Sequence, residues 1–117
     1  MDERILKWIY DIKMSIDEID SFFTEKDKDF FKYKNNLMLK RAVERNLEII
    51  GEAVNRIITR DNSFAEKISN AKAIIGLRNQ VIHAYDNISD ESIWSILTNH
   101  LPKLKLEVDA LISDNEK

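Results

Sequence analysis

Apolar residues recur along this chain at intervals of three and four. Ile5, Ile9, Ile12, Ile16, Ile19 and Phe23 form one stripe and predict an amphipathic helix over about residues 3–23. Glu25 to Asp29 reads as a charged connection. Leu37, Val43, Leu47, Ile50, Val54 and Ile57 carry a second stripe, predicting a long helix from Phe30 or Asn35 to Thr59, stopped by Asp61-Asn62-Ser63. A third helix is expected from Ser69 or Asn70, either of which suits an N-cap, to Tyr85, with Ile74, Ile75, Val81 and Ile82 toward the core. Asp86 to Ser89 forms a turn, with Asp90 and Glu91 suited to the positive end of the next helix. That fourth helix carries Ile93, Ile96 and Leu97, and Pro102 either kinks it or opens a fifth through Leu104, Val108 and Leu111. The predicted architecture is all-α, a four- to five-helix up-and-down bundle in one domain spanning 1–117.

Composition agrees with that pattern. The chain has 117 residues with only two glycines and one proline, which suits helices and disfavours a sheet protein. Gly51 falls inside the second long helix, where it costs up to about 1 kcal/mol relative to alanine. A close helix crossing is the expected compensation. The absence of cysteine removes disulfide frameworks and thiolate metal sites, and fits a reducing compartment, the cytoplasm. No apolar signal segment or membrane span is expected. A net charge of −3 argues against a broadly basic nucleic-acid surface. Between Thr24 and Arg45, however, seven basic residues stand against four acidic ones. That run reads first as a solvated helical face, and second as a local attraction for RNA.

Chemistry concentrates in Leu77-Arg78-Asn79-Gln80-Val81-Ile82-His83-Ala84-Tyr85. Arginine offers a permanent cation with a planar fork of donors suited to phosphate. Histidine is the side chain able both to take and to give a proton near neutrality. At about 100° per residue, Arg78 and His83 stand roughly 140° apart around one helix, whereas Asn79 and His83 share a face. This offset favours a homodimer in which two copies of the helix surround one cleft. An arginine and a histidine five residues apart are by themselves a weak pattern.

The stretch from Arg78 to Tyr85 resembles the R-x4-H-x-Y signature of the HepT-like toxins of the HEPN superfamily of helical ribonucleases. The run Ala42 to Ala53 resembles that family's second helix, and Ile93-Trp94 with Leu101-Pro102-Lys103-Leu104 its tail. Ala84 stands where relatives often have glycine, and the 61–70 loop matches weakly. The resemblance implies an HEPN-like bundle and metal-independent cleavage of RNA by attack of the ribose 2′-OH, needing no cofactor. It implies His83 as general base or acid and Arg78 as stabiliser of phosphoryl charge, with Asn79 supporting. It further implies a partner, a minimal nucleotidyltransferase antitoxin of the MntA type, which transfers AMP to Tyr85 and silences the enzyme. The alternative is a non-catalytic partner that binds nucleotide or substrate for that transferase. Glu52 is expected to face solvent, with pairing to Arg78 as the other option. His100 is expected in solvent and Trp94 in the core or an interface.

Overall fold

The computed structural model describes residues 1–23, 28–83 and 89–117, with residues 80–83 described by their helical backbone alone. Helix α1 spans Glu3–Phe22. Its N-cap, Asp2, accepts from the backbone N–H groups of Arg4 and Ile5 at 2.8 and 3.3 Å, satisfying donors that have no partner inside the helix. A short helix α2, Phe30–Lys34, precedes α3, Leu37–Arg60. Of the two expected starts, Phe30 is not the beginning of the long helix; the Asn35 alternative lies two residues before α3 begins, and the end at Thr59 lies one residue before it closes. Asn35 closes α2 by donating from Nδ2 to the Phe31 carbonyl at 2.8 Å, and Asn36 caps α3 by accepting from Leu39 N–H at 3.0 Å. Two adjacent asparagines, each bonding locally to the backbone, break the helix at this point.

Asp61 ends α3 and accepts from Ser63 N–H at 3.0 Å, opening a 3₁₀ turn, Asn62–Ala65. The 61–70 stretch is more than a connection, because Phe64 and Ile68 from it are buried in the core. Helix α4, Ala71–His83, follows, starting directly after Asn70, one of the two expected cap positions, and Tyr85 lies outside the described residues. Ala71, Ile74 and Leu77 are its buried side chains, while Ile75 is half-buried. The predicted inward positions Val81 and Ile82 have side chains outside the description.

Helix α5, Asp90–Ser95, begins at Ser89, whose hydroxyl accepts from Ser92 N–H at 3.0 Å. It passes through a π-helical turn, Ile96–His100, into α6, Leu101–Asn115. Pro102 thus sits in the first turn of α6, where its missing N–H costs little. The widened turn lets the helical path continue across the proline.

Helices α1 and α3 pack on each other most extensively, α4 lies against another flank of α3, and α6 covers α1. Arg60 Nε donates to Asp2 at 3.0 Å, joining the end of α3 to the start of α1. Lys13 to Asp109 at 3.0 Å and Lys105 to Asp20 at 3.1 Å tie α1 to an antiparallel α6. One hydrophobic cluster runs through all of these helices. Trp94 belongs to it, with ring centroids 5.5 to 5.9 Å from Tyr33, Phe23 and Phe30. Among the described residues no helix is long and apolar enough to cross a membrane.

Candidate active site

The site is built where α4 crosses α3, and Gly51 sets how close that crossing is. A Cβ at Gly51 would overlap the Cβ of Arg78 and come within 2.9 Å of its Cγ and 3.2 Å of the Ile74 carbonyl oxygen. The absent side chain lets the stem of Arg78 lie directly on the α3 backbone. The helix-propensity cost of this glycine is therefore offset by the approach it permits, as the sequence suggested.

From that anchored stem the guanidinium reaches the surface between the two helices, with the side chain about one quarter exposed. Its Nη1 donates to Asn79 Oδ1 at 2.9 Å. Its Nη2 stands 3.9 Å from Glu52 Oε2, an ion-pair separation longer than a hydrogen bond. Glu52 is held far more firmly by Arg56, whose Nη2 donates to Oε1 at 2.6 Å. Arg78 Nε is buried with no hydrogen-bond partner among the described residues. Among the described residues, one corner of the fork is thus fixed by Asn79 while the other is only loosely engaged. An incoming phosphate oxygen can take the place of the Glu52 contact and gain a charge-assisted bond from a donor already in position.

Arg78 and Asn79 are therefore brought together, and Asn79 acts on the arginine. His83 is the last residue of α4. Because the helix runs unbroken through both positions, the offset of roughly 140° between Arg78 and His83 holds for their backbones. The imidazole of His83 and the whole of Tyr85 lie outside the described residues. Glu52 combines both expectations, being close to half exposed and paired with two arginines. A spacing of four residues is the signal by which the Glu52–Arg56 pair could have been found, but the contact with Arg78 arises only when α4 docks on α3. His100 departs from expectation. It is half-buried, with Nδ1 enclosed and unpartnered among the described residues, because the π turn rolls it inward ahead of Leu101.

The basic flank is largely neutralised. Lys34 pairs with Glu91 at 4.0 Å, Lys40 with Asp90 at 3.0 Å, Arg41 with Glu44 at 2.9 Å and Arg45 with Glu48 at 3.5 Å. A hollow of about 770 Å³ lies at another end of the bundle, beside Asp2, Asp61, Phe64, Lys67 and Glu107, and neither Arg78 nor Asn79 borders it.

The sequence profile described as "Ribonuclease HepT-like" matches residues 12–111. The chain belongs to the HepT-like ribonuclease family. Three relatives from Methanocaldococcus jannaschii extend the likeness over nearly the whole length. "Putative RNase MJ1380" is 41% identical over 112 residues, covering 93% of this chain and 98% of the relative. "Putative RNase MJ0125" is 34% identical, with 100% and 99% of the two chains covered. "Putative RNase MJ1216" is 33% identical, with 99% and 94% covered. No solved structure matches the chain.

Proposed function

We propose that this protein is an endoribonuclease that cuts RNA without a metal ion or cofactor, with Arg78 and His83 as its catalytic residues. The ribose 2′-OH attacks the adjacent phosphorus and gives up its proton to a base. The P–O5′ bond breaks and the departing oxygen receives a proton. His83 performs one of these transfers, and Arg78 stabilises the charge that grows on the non-bridging oxygens. Asn79 supports this by fixing the guanidinium. The observation that carries the reading is an arginine oriented by Asn79 and loosely held by Glu52, five residues before a histidine on the same helix, in a ribonuclease family.

The angular offset between the two residues supports a homodimer in which each chain completes the other's cleft. The R-x4-H-x-Y resemblance supports a cytoplasmic toxin–antitoxin role in which an MntA-type nucleotidyltransferase attaches AMP to Tyr85. The added phosphodiester and nucleoside would occupy space the RNA phosphate needs and bring negative charge beside Arg78.

Incubating the protein with RNA in the presence of EDTA tests the activity. Products should end in 2′,3′-cyclic phosphate and 5′-hydroxyl, and His83→Ala should yield none. Inhibition by the chelator, or 5′-phosphate products, would contradict the mechanism. With the transferase, ATP and Mg²⁺, intact mass should rise by AMP increments that map to Tyr85. Neutralisation by complex formation alone, with no mass increase, would favour the non-catalytic partner reading.

A further inference from the structure

A cleft of about 190 Å³ opens between α1 and α3, beside Glu52, and is lined by Trp8, Asp11, Arg45, Ile49 and Arg56 as well. It is smaller than the roughly 300–1,000 Å³ of pockets that enclose a drug-sized ligand, a volume that suits one planar ring.

We infer that this cleft is a nucleobase subsite for the RNA strand bound at Arg78, an assignment that rests on the ribonuclease reading above. Four features converge. Trp8 is only half-buried although it packs against the core cluster, and an exposed aromatic edge in a cleft is the usual platform on which single-stranded bases stack. Ile49 supplies an apolar floor. Arg45 and Arg56 are mostly exposed, at 72% and 55%, even while paired with Glu48 and Glu52, and their planar guanidinium groups can stack on a base. Asp11 and Glu52 bring carboxylates, each with one oxygen engaged, by Lys7 at 2.9 Å and by Arg56 at 2.6 Å, and the second oxygen of a carboxylate suits the exocyclic amino group of a base.

Glu52 is the joint between this cleft and the catalytic arginine. One of its oxygens binds Arg56 at 2.6 Å inside the cleft lining, and the other faces Arg78 at 3.9 Å. A strand whose phosphate displaces Glu52 from Arg78 therefore leaves that carboxylate on Arg56, beside the place where a neighbouring base would lie. The lining holds two cations and two carboxylates, so its net charge is near zero. Such a balance suits a base rather than a second phosphate, and it separates this cleft from the charge-stabilising role of Arg78.

The probe is a fluorescent 2′-O-methyl hexaribonucleotide, which cannot be cleaved because the attacking hydroxyl is blocked. Its affinity is read by anisotropy at one fixed salt concentration. Trp8→Ala should weaken binding about tenfold, the size of effect expected when one stacking ring is lost. Trp8→Phe should recover most of it, and its retained ring guards against a variant that merely fails to pack. Arg45→Ala removes a side chain outside the core and should weaken binding severalfold with an unchanged melting temperature. Unaltered affinity in both Trp8→Ala and Arg45→Ala would overturn the subsite, whether or not Arg78→Ala stops cleavage. Loss of affinity in these variants would uphold the subsite even if the unaltered protein left RNA intact, an outcome that would remove only the catalytic reading.

Discussion

The two faces of α3 are built on opposite principles. Toward α1 it meets a ladder of isoleucines: Ile5, Ile9, Ile12, Ile16 and Ile19 are all buried, as are Val43, Leu47, Ile50, Val54 and Ile57. Toward α4, whose Ile74 and Leu77 are buried as well, it offers a glycine, and the side chain resting on that glycine is an arginine. The first seam gains from apolar burial, each fully enclosed aliphatic side chain contributing roughly 1.5–3 kcal/mol. The second lets two backbones approach so that a charged group can be held at a surface with one donor occupied and another loosely engaged. On the proposed function, stability and chemistry are thus divided between the two sides of one helix. Incomplete satisfaction of Arg78 is useful because it leaves something for a ligand to complete.

If the division is real, the largest loss of stability should come from the α1–α3 side. Ile50→Ala, at a fully buried position, should cost about 2–5 kcal/mol and lower the melting temperature by about 10 °C or more, while the remaining folded molecules still cut RNA. Gly51→Ala probes the opposite seam. The added methyl group meets the Arg78 stem, so α4 must shift, at a cost of about 1–3 kcal/mol from overpacking, partly offset by better helix propensity. Activity should fall more than melting temperature does. A Gly51→Ala variant with normal activity would show that the close crossing does not position the arginine.

A smaller effect with the opposite sign is expected at Tyr33. Its ring is buried against Trp94, and its hydroxyl has no partner among the described residues. Tyr33→Phe should leave stability unchanged or raise it by about 1 kcal/mol, since an unsatisfied buried hydroxyl is removed. Burial, with further contributions from Glu44 and Asp90, pushes this phenol above its ordinary pKa. A group whose folded pKa is raised contributes stability that is complete below the unfolded pKa and is lost as pH rises through the folded one. Thermal melts should therefore show alkaline destabilisation above about pH 10, and Tyr33→Phe should reduce it.

The smallest expected effect lies at the acid end. Arg60 and the backbone of α1 hold Asp2 below the usual carboxylate range, and the Ser63 hydroxyl and N–H do the same for Asp61. Lowered folded pKa values give stability that is present above the unfolded value and lost as pH falls through the folded one. Melting temperature should decline below about pH 4, and Asp61→Asn should flatten part of that decline.

Much of the bundle was legible because its helices bury simple stripes. The isoleucine ladder of α1 and the acidic start of α5 at Asp90 and Glu91 depend on neighbours within a few residues. The break at Asn35-Asn36 was harder to place, since both asparagines bond to the backbone locally and nothing in the apolar spacing marks the gap. Phe64 and Ile68 entered the core from a stretch without helical periodicity. Arg78 and Asn79 stood out by their chemistry and Gly51 by its cost in a helix. The contact among Glu52, Arg56 and Arg78 needed the angle between α3 and α4, which no local pattern carries. His100 turned inward because of a π turn that the sequence marks only by Pro102 two residues later.

The most direct test of the division is Arg78→Ala, with cleavage rate and thermal melting measured on the same preparation. The arginine stands on the α3–α4 side, its head is at the surface, and its ion pair with Glu52 is 3.9 Å long. Cleavage should fall by about 10²–10³-fold or more, the loss typical when a preorganised donor to a developing oxyanion is removed. Melting temperature should change by no more than a few degrees. Undiminished cleavage, or a collapse of the fold comparable to that of Ile50→Ala, would contradict the account.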